Sequence, residues 1–570
     1  MTNAMLARPW LTQYPPSIPA EIDVSDHANL AEMLEEALAK YADRVAFHCS
    51  GTDLTYRELD RLSAAFAVHL DKHGFRKGDR FALMMPNLLQ YPIALMGCLR
   101  LGLTVVNCNP LYTPRELAHQ LKDSGAKGIL VVENFANVLV EVINQTDVKH
   151  VVVTGLGDRL SWWKGPGLNF LVRHVAKLVP EFKFAAAIRF NAALAEGAGG
   201  QLKREPLCLD DIAFLQYTGG TTGVSKGAVL SHGNIVANVL QSRAWLFGFQ
   251  QDERPECVVA ALPLYHIFAL TACTFVYVTT GAKVVLITNP RDVPAFVRTL
   301  QEHKFTVLPG VNTLFTALMN HEDFPKLDFS SLRYGLGGGM AVQRATAEEW
   351  QRVTGKPLVE AYGLTETSPG ATINPISANG GFNASIGLPI SSTEVRLRLD
   401  DGTWVELDDH DTAGEICVRG PQVMQGYYNR PDETAKVLDA QRWLLTGDIG
   451  KMDANGFFYI VDRKKDMILV SGFNVYPNEV EGVVVMHPGV LEVAAIGVPD
   501  NKSGEVVKIF VVRKDLSLTA PQVLAHCREN LTGYKLPKYV EFRNELPKSN
   551  VGKILRRELR DEEMRRKEAA

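Results

Sequence analysis

Apolar residues in this chain alternate between helix-like and strand-like spacing. Leu30, Met33, Leu34, Ala37 and Leu38 recur every three or four positions, which predicts a helix with one apolar face. Unbroken apolar runs follow at 81–85, 128–132 and 151–153. Short runs of this kind read as strands buried on both faces. The rhythm continues at 212–215, 258–261, 284–287, 306–308 and 334–336. Strands separated by helical stretches predict an α/β fold with parallel sheets covered on both sides. Residues 262–282 contain no Asp, Glu, Lys or Arg, a run long enough in principle to span a bilayer. Pro263, His266 and Gly281 interrupt it, and it leads straight into a strand-like run, so the pattern predicts a buried helix of a large core.

Beyond about residue 385 the texture changes to short β segments at 394–399, 414–419 and 457–461, predicting a small β-rich region. The charged run Asp462-Arg463-Lys464-Lys465-Asp466 then interrupts the chain. It divides a large N-terminal domain, 1–463, from a small α+β domain, 464–570. Inside the latter, Thr519 and Gln522 have capping-box spacing, with Pro521 in the first turn of the helix they open.

Composition narrows the function classes. At 570 residues with 46% hydrophobic and 22% charged residues, the chain is of ordinary globular type. A net charge of −4 over this length argues against bulk nucleic-acid binding. Eight cysteines without a C-x-x-C pair argue against a zinc or disulfide framework and suit a reducing, cytoplasmic compartment. Residues 1–18 lack the apolar core of a signal peptide. One segment stands apart. Between 159 and 190, Arg159, Lys164, Arg173, Lys177, Lys183 and Arg189 face a single acid, Glu181, and are interleaved with Trp162, Trp163, Phe170, Phe182, Phe184 and Phe190. This mixture suits a membrane interface, which would put the protein on the inner face of the cytoplasmic membrane, or an ordinary surface excursion. Oligomeric state is left open, a homodimer included.

The chemistry centres on Tyr217-Thr218-Gly219-Gly220-Thr221-Thr222-Gly223-Val224-Ser225-Lys226-Gly227. Four glycines bend the backbone tightly and bare its N–H groups, while hydroxyls and Lys226 add donors and a cation. Such a loop suits a polyphosphate. It is not a Walker loop, because Lys226 follows Ser225 and precedes Gly227. Nor does Gly335-Leu336-Gly337-Gly338-Gly339-Met340 complete a dinucleotide fingerprint, since Met340 occupies the third glycine position. A second block, Glu360-Ala361-Tyr362-Gly363-Leu364-Thr365-Glu366-Thr367, offers an aromatic face for a base and a carboxylate for Mg²⁺. A third, Trp443-Leu444-Leu445-Thr446-Gly447-Asp448, places an aspartate after a tight turn, suited to ribose hydroxyls. A fourth, Pro547-Lys548-Ser549-Asn550-Val551-Gly552-Lys553, ends in a lysine at the start of a helical run.

In this order, over nearly the whole chain, the four blocks resemble the adenylate-forming superfamily of acyl-CoA synthetases, luciferases and peptide-synthetase adenylation domains. A narrower similarity to bacterial long-chain fatty-acid–CoA ligases is carried by 261–270, 310–315, 337–340, 443–466 and 546–559. The resemblance implies a large domain of two parallel-type αβ sheets plus a distorted β-barrel, followed by a mobile C-terminal domain. It implies ATP, a fatty acid and coenzyme A as substrates, with Mg²⁺ accompanying ATP. By the same resemblance, Lys553 bridges the carboxylate and the α-phosphate. Thr218 and Glu366 hold Mg²⁺, and Tyr217, Thr218, Gly219, Gly220, Thr221, Thr222, Gly223 and Lys226 hold the phosphates. Tyr362 stacks on adenine beside Gly338, Gly339, Gly363 and Thr365, and Asp448 and Arg463 hold the ribose. Lys465 is the hinge and borders the nucleotide. Ser471, Gly472 and Phe473 line the coenzyme A channel. The acyl pocket falls to His266, Phe268, Gly310, Val311, Gly337 and Met340. His266 is also open to reading as a satisfied core histidine. One departure stands out: Thr367-Ser368-Pro369-Gly370-Ala371 occupies a place where bulkier apolar residues are expected. Acyl preference is therefore left open among long-chain, medium-chain and aryl acids, and a carrier protein remains an alternative acceptor.

Overall fold

The computed structural model describes residues 8–218, 225–247, 255–376, 382–471, 473–500, 503–549 and 552–568. Two large sheets carry the N-terminal part. The eight-stranded sheet has a parallel centre, Thr104–Cys108, Arg80–Met84, Gly128–Val132 and His150–Thr154, flanked by Ile212–Thr218. The nine-stranded sheet runs parallel from Lys283–Leu286 through Cys257–Ala260, Val307–Gly310 and Tyr334–Gly337 to Leu358–Gly363. Thr104–Cys108 and Gly128–Val132 are buried along their whole length, as unbroken apolar runs require.

Helix Tyr56–Lys72 shows how local and tertiary signals agree. Thr55 and Glu58 close a capping box at its N-terminus, a device worth about 1 kcal/mol. Its Tyr56, Leu59, Leu62, Phe66 and Leu70 enter the largest core cluster. Burying each such side chain contributes about 1.5–3 kcal/mol.

The uncharged stretch 262–282 folds as expected, into the core. Its helical run, 267–278, is wound with a π-type segment at Leu270–Phe275 and is buried throughout except at Phe268. Gly281, at φ +75°, closes the turn into Lys283–Leu286. Among the described residues no helix is long and apolar enough to cross a membrane.

The β-rich region is a four-stranded antiparallel sheet, Glu394–Arg398, Gly414–Arg419, Leu444–Met452 and Phe458–Arg463. A bridge between Gly387 and Phe458 ties it to the nine-stranded sheet, and this assembly occupies the place expected for the distorted barrel. A fourth sheet follows, built on the long hairpin Val490–Asp500 and Gly504–Arg513, with Tyr539–Arg543 added in parallel. The Thr519–Gln522 capping box is present at helix Ala520–Asn530.

In the basic–aromatic segment, helix Lys164–Phe170 continues as a π-type turn, Leu171–Val175. Trp162 is 86% exposed and Trp163, Phe170, Val175 and Leu178 are also open to solvent. Two of the six basic residues are paired internally: Arg173 and Arg189 both reach the buried Glu133, at 2.7 and 3.2 Å, and Arg189 also lies 4.0 Å from Asp158.

Candidate active site

Strand ends from both large sheets, the four-stranded sheet and the C-terminal tail converge on one region. Asp448 and Arg463 are direct partners across the antiparallel ladder, so their side chains share a face. Arg463 Nε sits 3.1 Å from Asp448 Oδ1, and the Tyr362 hydroxyl donates to Asp448 Oδ2 at 2.7 Å. Asp448 is almost fully buried. Burial and the neighbouring carboxylate hold the Tyr362 phenol well above its usual range, so it remains a donor.

Lys553 enters this cluster from the C-terminal tail. Its backbone turn is closed by Ser549, whose hydroxyl accepts the Lys553 N–H at 3.1 Å. The preceding Gly552, at φ +80°, docks on the large domain: its carbonyl accepts the Thr313 hydroxyl at 3.4 Å. A Cβ at this position would lie 2.8 Å from that hydroxyl, so the close approach requires glycine. Burial, then the Arg463 charge, holds the Lys553 ammonium down at about 7. The same ammonium helps burial lower His266 to about 4. His266 Nδ1 accepts the Phe268 N–H at 3.3 Å, capping the helix that follows. A neutral ring with Nδ1 as acceptor carries its proton on Nε2, leaving one donor for a substrate oxygen.

Glu366 sits on the short turn Thr365–Thr367, whose geometry is fixed from several sides. Thr367 Oγ1 accepts the Leu364 N–H at 2.9 Å, the Ser368 hydroxyl donates to Gln422 O at 2.8 Å, and Thr271 donates to Ser368 O at 2.9 Å. The small polar residues at 367 and 368 are thus buried and spent on shaping this turn. The Tyr427 hydroxyl donates to Glu366 Oε1 at 2.7 Å and orients its carboxylate. The other acid of this block, Glu360, is buried, and burial pushes its carboxyl up to about 8. It accepts the Val342 N–H at 3.0 Å and anchors the loop after Gly339. Of the two acids, Glu366 is the one that keeps partial exposure.

Gly219, Gly220, Thr221, Thr222 and Gly223 lie outside the described residues, as does Gly472. On the flanks of the phosphate loop, Thr218 pairs with Lys226 across the hairpin. Lys226 Nζ contacts Glu433 Oε2 at 2.5 Å and lies 4.8 Å from the centre of the Tyr427 ring. Lys226 and then Lys436 hold the Glu433 carboxyl down at about 2. The Tyr217 side chain is committed to contacts within the protein. Its hydroxyl donates to Asp123 Oδ2 at 2.8 Å and its ring packs over Gly227, because alternation along the strand sends it to the opposite face from Thr218.

The residues expected around the acyl group also meet. Gly310 and Gly337 are partners in adjacent parallel strands. Phe268 lies against Gly338 so closely that a Cβ there would come within 2.9 Å of its ring, and Gly339 contacts both Phe268 and Val311. Met340 is half-buried beside them. Gly337 works differently from its neighbours, since a Cβ would strike Val342 at 2.4 Å. Gly363 is tighter still: a Cβ would sit 1.9 Å from Pro369 O. Ser471 and Phe473 lie in the C-terminal domain, where the Phe473 ring is exposed and stacks on Tyr534 at 4.9 Å.

Two family descriptions match this chain: "AMP-binding enzyme" over residues 34–428 and "AMP-binding enzyme C-terminal domain" over 479–553. The chain belongs to the AMP-binding enzyme family. Asp448, Arg463 and Lys465 fall between the two matched spans, where geometry alone groups them with the site. The chain is 56% identical over 557 residues to the long-chain-fatty-acid–CoA ligase of Yersinia pestis, covering 98% of each chain. It is 55% identical over 554 residues to the ligase of that name from Escherichia coli O157:H7, covering 97% of this chain and 98% of that one. Among solved structures, the anthranilate CoA ligase AuaEII in complex with anthranoyl-AMP superposes with a TM-score of 0.84 at 25% identity, covering 95% of this chain and 98% of that one.

Sequence reasoning missed Tyr427, Glu433 and Thr313. Each acts through contacts more than sixty residues away in the chain (Tyr427 with Glu366, Glu433 with Lys226, Thr313 with Gly552), and no local spacing announces them.

Proposed function

We propose that this AMP-binding enzyme is a long-chain fatty acid–CoA ligase working through an acyl-adenylate. The observation that carries the reading is Lys553, seated among Arg463, Asp448 and His266 by the docking of Gly552 on Thr313. In the first half-reaction a carboxylate oxygen attacks the α-phosphorus of ATP. The bond to the β-phosphate bridging oxygen breaks and pyrophosphate leaves. The approach brings anion to anion, so the ammonium of Lys553 lowers its cost most where charge builds up. Tyr362 and Gly338 form the base site, Asp448 and Arg463 the ribose site, and Lys226 leaves Glu433 for the departing phosphates. The oxygen donors of Thr218 and Glu366, the latter oriented by Tyr427, suit Mg²⁺, which would neutralise phosphate charge when bound. In the second half-reaction the coenzyme A sulfur attacks the acyl carbonyl, the thiol proton is lost to solvent, and AMP leaves.

The C-terminal domain, 464–570, turns about Lys465 between these steps in this reading. The arrangement with Lys553 beside Arg463 and Asp448 suits the first step. The junction is held by an ion pair and a hydrogen bond that span it: Arg556 lies 3.8 Å from Asp462, and Asp462 Oδ2 accepts the Asn478 N–H at 2.9 Å. Rotation must break these contacts and withdraw Lys553. It would bring Ser471, Gly472 and Phe473 to the channel instead.

Long-chain preference is tested by pyrophosphate release across saturated acids of increasing length, with benzoate alongside and with coenzyme A or a carrier protein as acceptor. Each added methylene buried in an apolar tunnel is worth about 0.8 kcal/mol, so kcat/KM should climb about fourfold per carbon up to the tunnel length. A maximum at benzoate or at a short acid overturns the long-chain assignment.

The exposed face of Trp162, Trp163, Phe170, Val175 and Leu178, with Lys164, Lys177 and Lys183 nearby, supports peripheral contact with an anionic lipid surface. Such contact would place the enzyme where its apolar substrate concentrates. Replacing Trp162 and Trp163 together by serine should weaken sedimentation with anionic vesicles while sparing activity on a soluble acid. Unchanged vesicle binding removes the membrane role.

A further inference from the structure

Far from the nucleotide cluster, three histidines and a glutamate collect between two helices. His69 and His73 stand one helical turn apart at the end of Tyr56–Lys72, and Glu196 ends the neighbouring helix Phe190–Gly197. His69 Nδ1 lies 2.7 Å and His73 Nε2 3.2 Å from the same oxygen, Glu196 Oε2. These three ligand atoms fall within 4.8 Å of one another. Behind them, His150 Nε2 sits 3.0 Å from His69 Nε2.

We propose that His69, His73 and Glu196 form a binding site for a divalent transition-metal ion such as zinc, nickel or copper, with His150 holding the outer nitrogen of His69. The donor set is two imidazoles and one carboxylate, the composition such ions favour. Ligands around a tetrahedral ion at bond lengths near 2.0–2.1 Å are separated by about 3.3 Å, so the His73–Glu196 spacing of 3.2 Å fits as it stands and the His69–Glu196 spacing of 2.7 Å must open by about 0.6 Å. Histidines at i and i+4 present their rings on one helix face, the chelating arrangement. The His69–His150 contact supplies the partner that a metal-bound imidazole needs on its other nitrogen: with the ion on Nδ1, the ring proton stands on Nε2 and points at His150.

The backbone holds this geometry firmly. Gly197 approaches the first helix so closely that a Cβ would lie 1.8 Å from Ala65 O. The site is also accessible, because His73 and Glu196 keep 33% and 41% of their side-chain surface exposed while His69 is buried. Lys72 binds the main-chain carbonyl of Glu196 at 2.7 Å and not its carboxylate. A second group, His48, Glu302 and His303, is similarly close, but there His48 is held on one side by Asp53 at 2.6 Å and on the other by the Gly51 N–H at 3.3 Å. An ion at the first group would pin helix Phe190–Gly197, where the basic–aromatic segment rejoins the core, to helix Tyr56–Lys72.

The test uses untagged, full-length protein in excess Mg²⁺, which covers oxygen-donor sites. Titrated Co²⁺ should give visible absorption saturating at a single equivalent, and Zn²⁺ should raise Tm with its concentration, as binding to the folded state alone requires. His73→Ala and Glu196→Gln, both at exposed positions, should abolish both signals. His150→Phe should weaken binding about tenfold or more through loss of the outer partner. His303→Ala should change neither signal. Absence of the band and of the Tm shift in the parent protein, or their persistence in His73→Ala, overturns the site and leaves a hydrogen-bonded histidine cluster.

Discussion

Replacing Lys553 by alanine should nearly abolish acyl-adenylate formation while leaving thioester formation from supplied acyl-AMP almost intact. Removing one preorganised cation from a charge-building transition state costs about 10²–10³-fold in rate, more where water is excluded. Pyrophosphate release from ATP and fatty acid measures the first half-reaction, and CoA-dependent AMP release from synthetic acyl-AMP measures the second. Equal losses in both would sink the account in which the C-terminal domain withdraws this lysine between steps. The pH dependence carries the same signature. Lys553 titrates at about 7 against an ordinary value of 10.5, so without substrate its charge is present below pH 7 and lost above it. Bound phosphates favour the cation, so ATP binding at pH 8 should take up a proton, read by calorimetry in buffers of different ionisation enthalpy. That uptake should vanish in Lys553→Ala. Between pH 7 and 10.5 the unfolded chain holds more protons at this residue than the folded one, so its contribution to stability rises with pH across that window.

Gly363→Ala should cost about 10²-fold in pyrophosphate release, the scale expected when reacting groups are displaced by about 1 Å. The reason is steric and local. The new Cβ would meet Pro369 O at 1.9 Å and its carbonyl carbon at 2.7 Å, both backbone atoms that cannot rotate away. Gly363 pairs with Gly370 at the base of the turn that carries Glu366, and Tyr362 immediately precedes it. Relief of the clash must move the base site and the carboxylate together, so KM for ATP should rise as kcat falls. Gly355→Ala is the control. It sits at φ +69° with open space around its Cβ position, so it bears only backbone strain of about 1 kcal/mol and should leave turnover unchanged. Wild-type pyrophosphate release by Gly363→Ala would show that the turn does not set the site.

Much of the architecture was legible along the chain because buried parallel strands are uniformly apolar. The run 128–132 folds as Gly128–Val132, and 284–287 differs by one residue from Lys283–Leu286. The difference has a simple cause: Lys283 joins the ladder through its backbone while its side chain reaches out to Asp53 at 3.4 Å. Capping boxes were equally readable, since their partners lie three residues apart. For Tyr217, composition marks the loop as suited to phosphate but does not say to which face each strand residue turns. The net charge the basic segment presents is not readable from its own residues, since Arg173 and Arg189 both pair with Glu133, far back in the chain.

The sequence by itself determined the α/β class and the order of the four chemical blocks. Those features rest on local periodicity and on residue types that the chemistry demands. Only the tertiary structure shows how the two acids differ, because burial neutralises Glu360 and leaves Glu366 under the hydroxyl of Tyr427. It also decided that Lys553 reaches the site through a glycine docked on Thr313, and that His69, His73, His150 and Glu196 meet at all. Charge state and proximity depend on what the rest of the fold brings within a few ångströms, and no spacing along the chain encodes that distance.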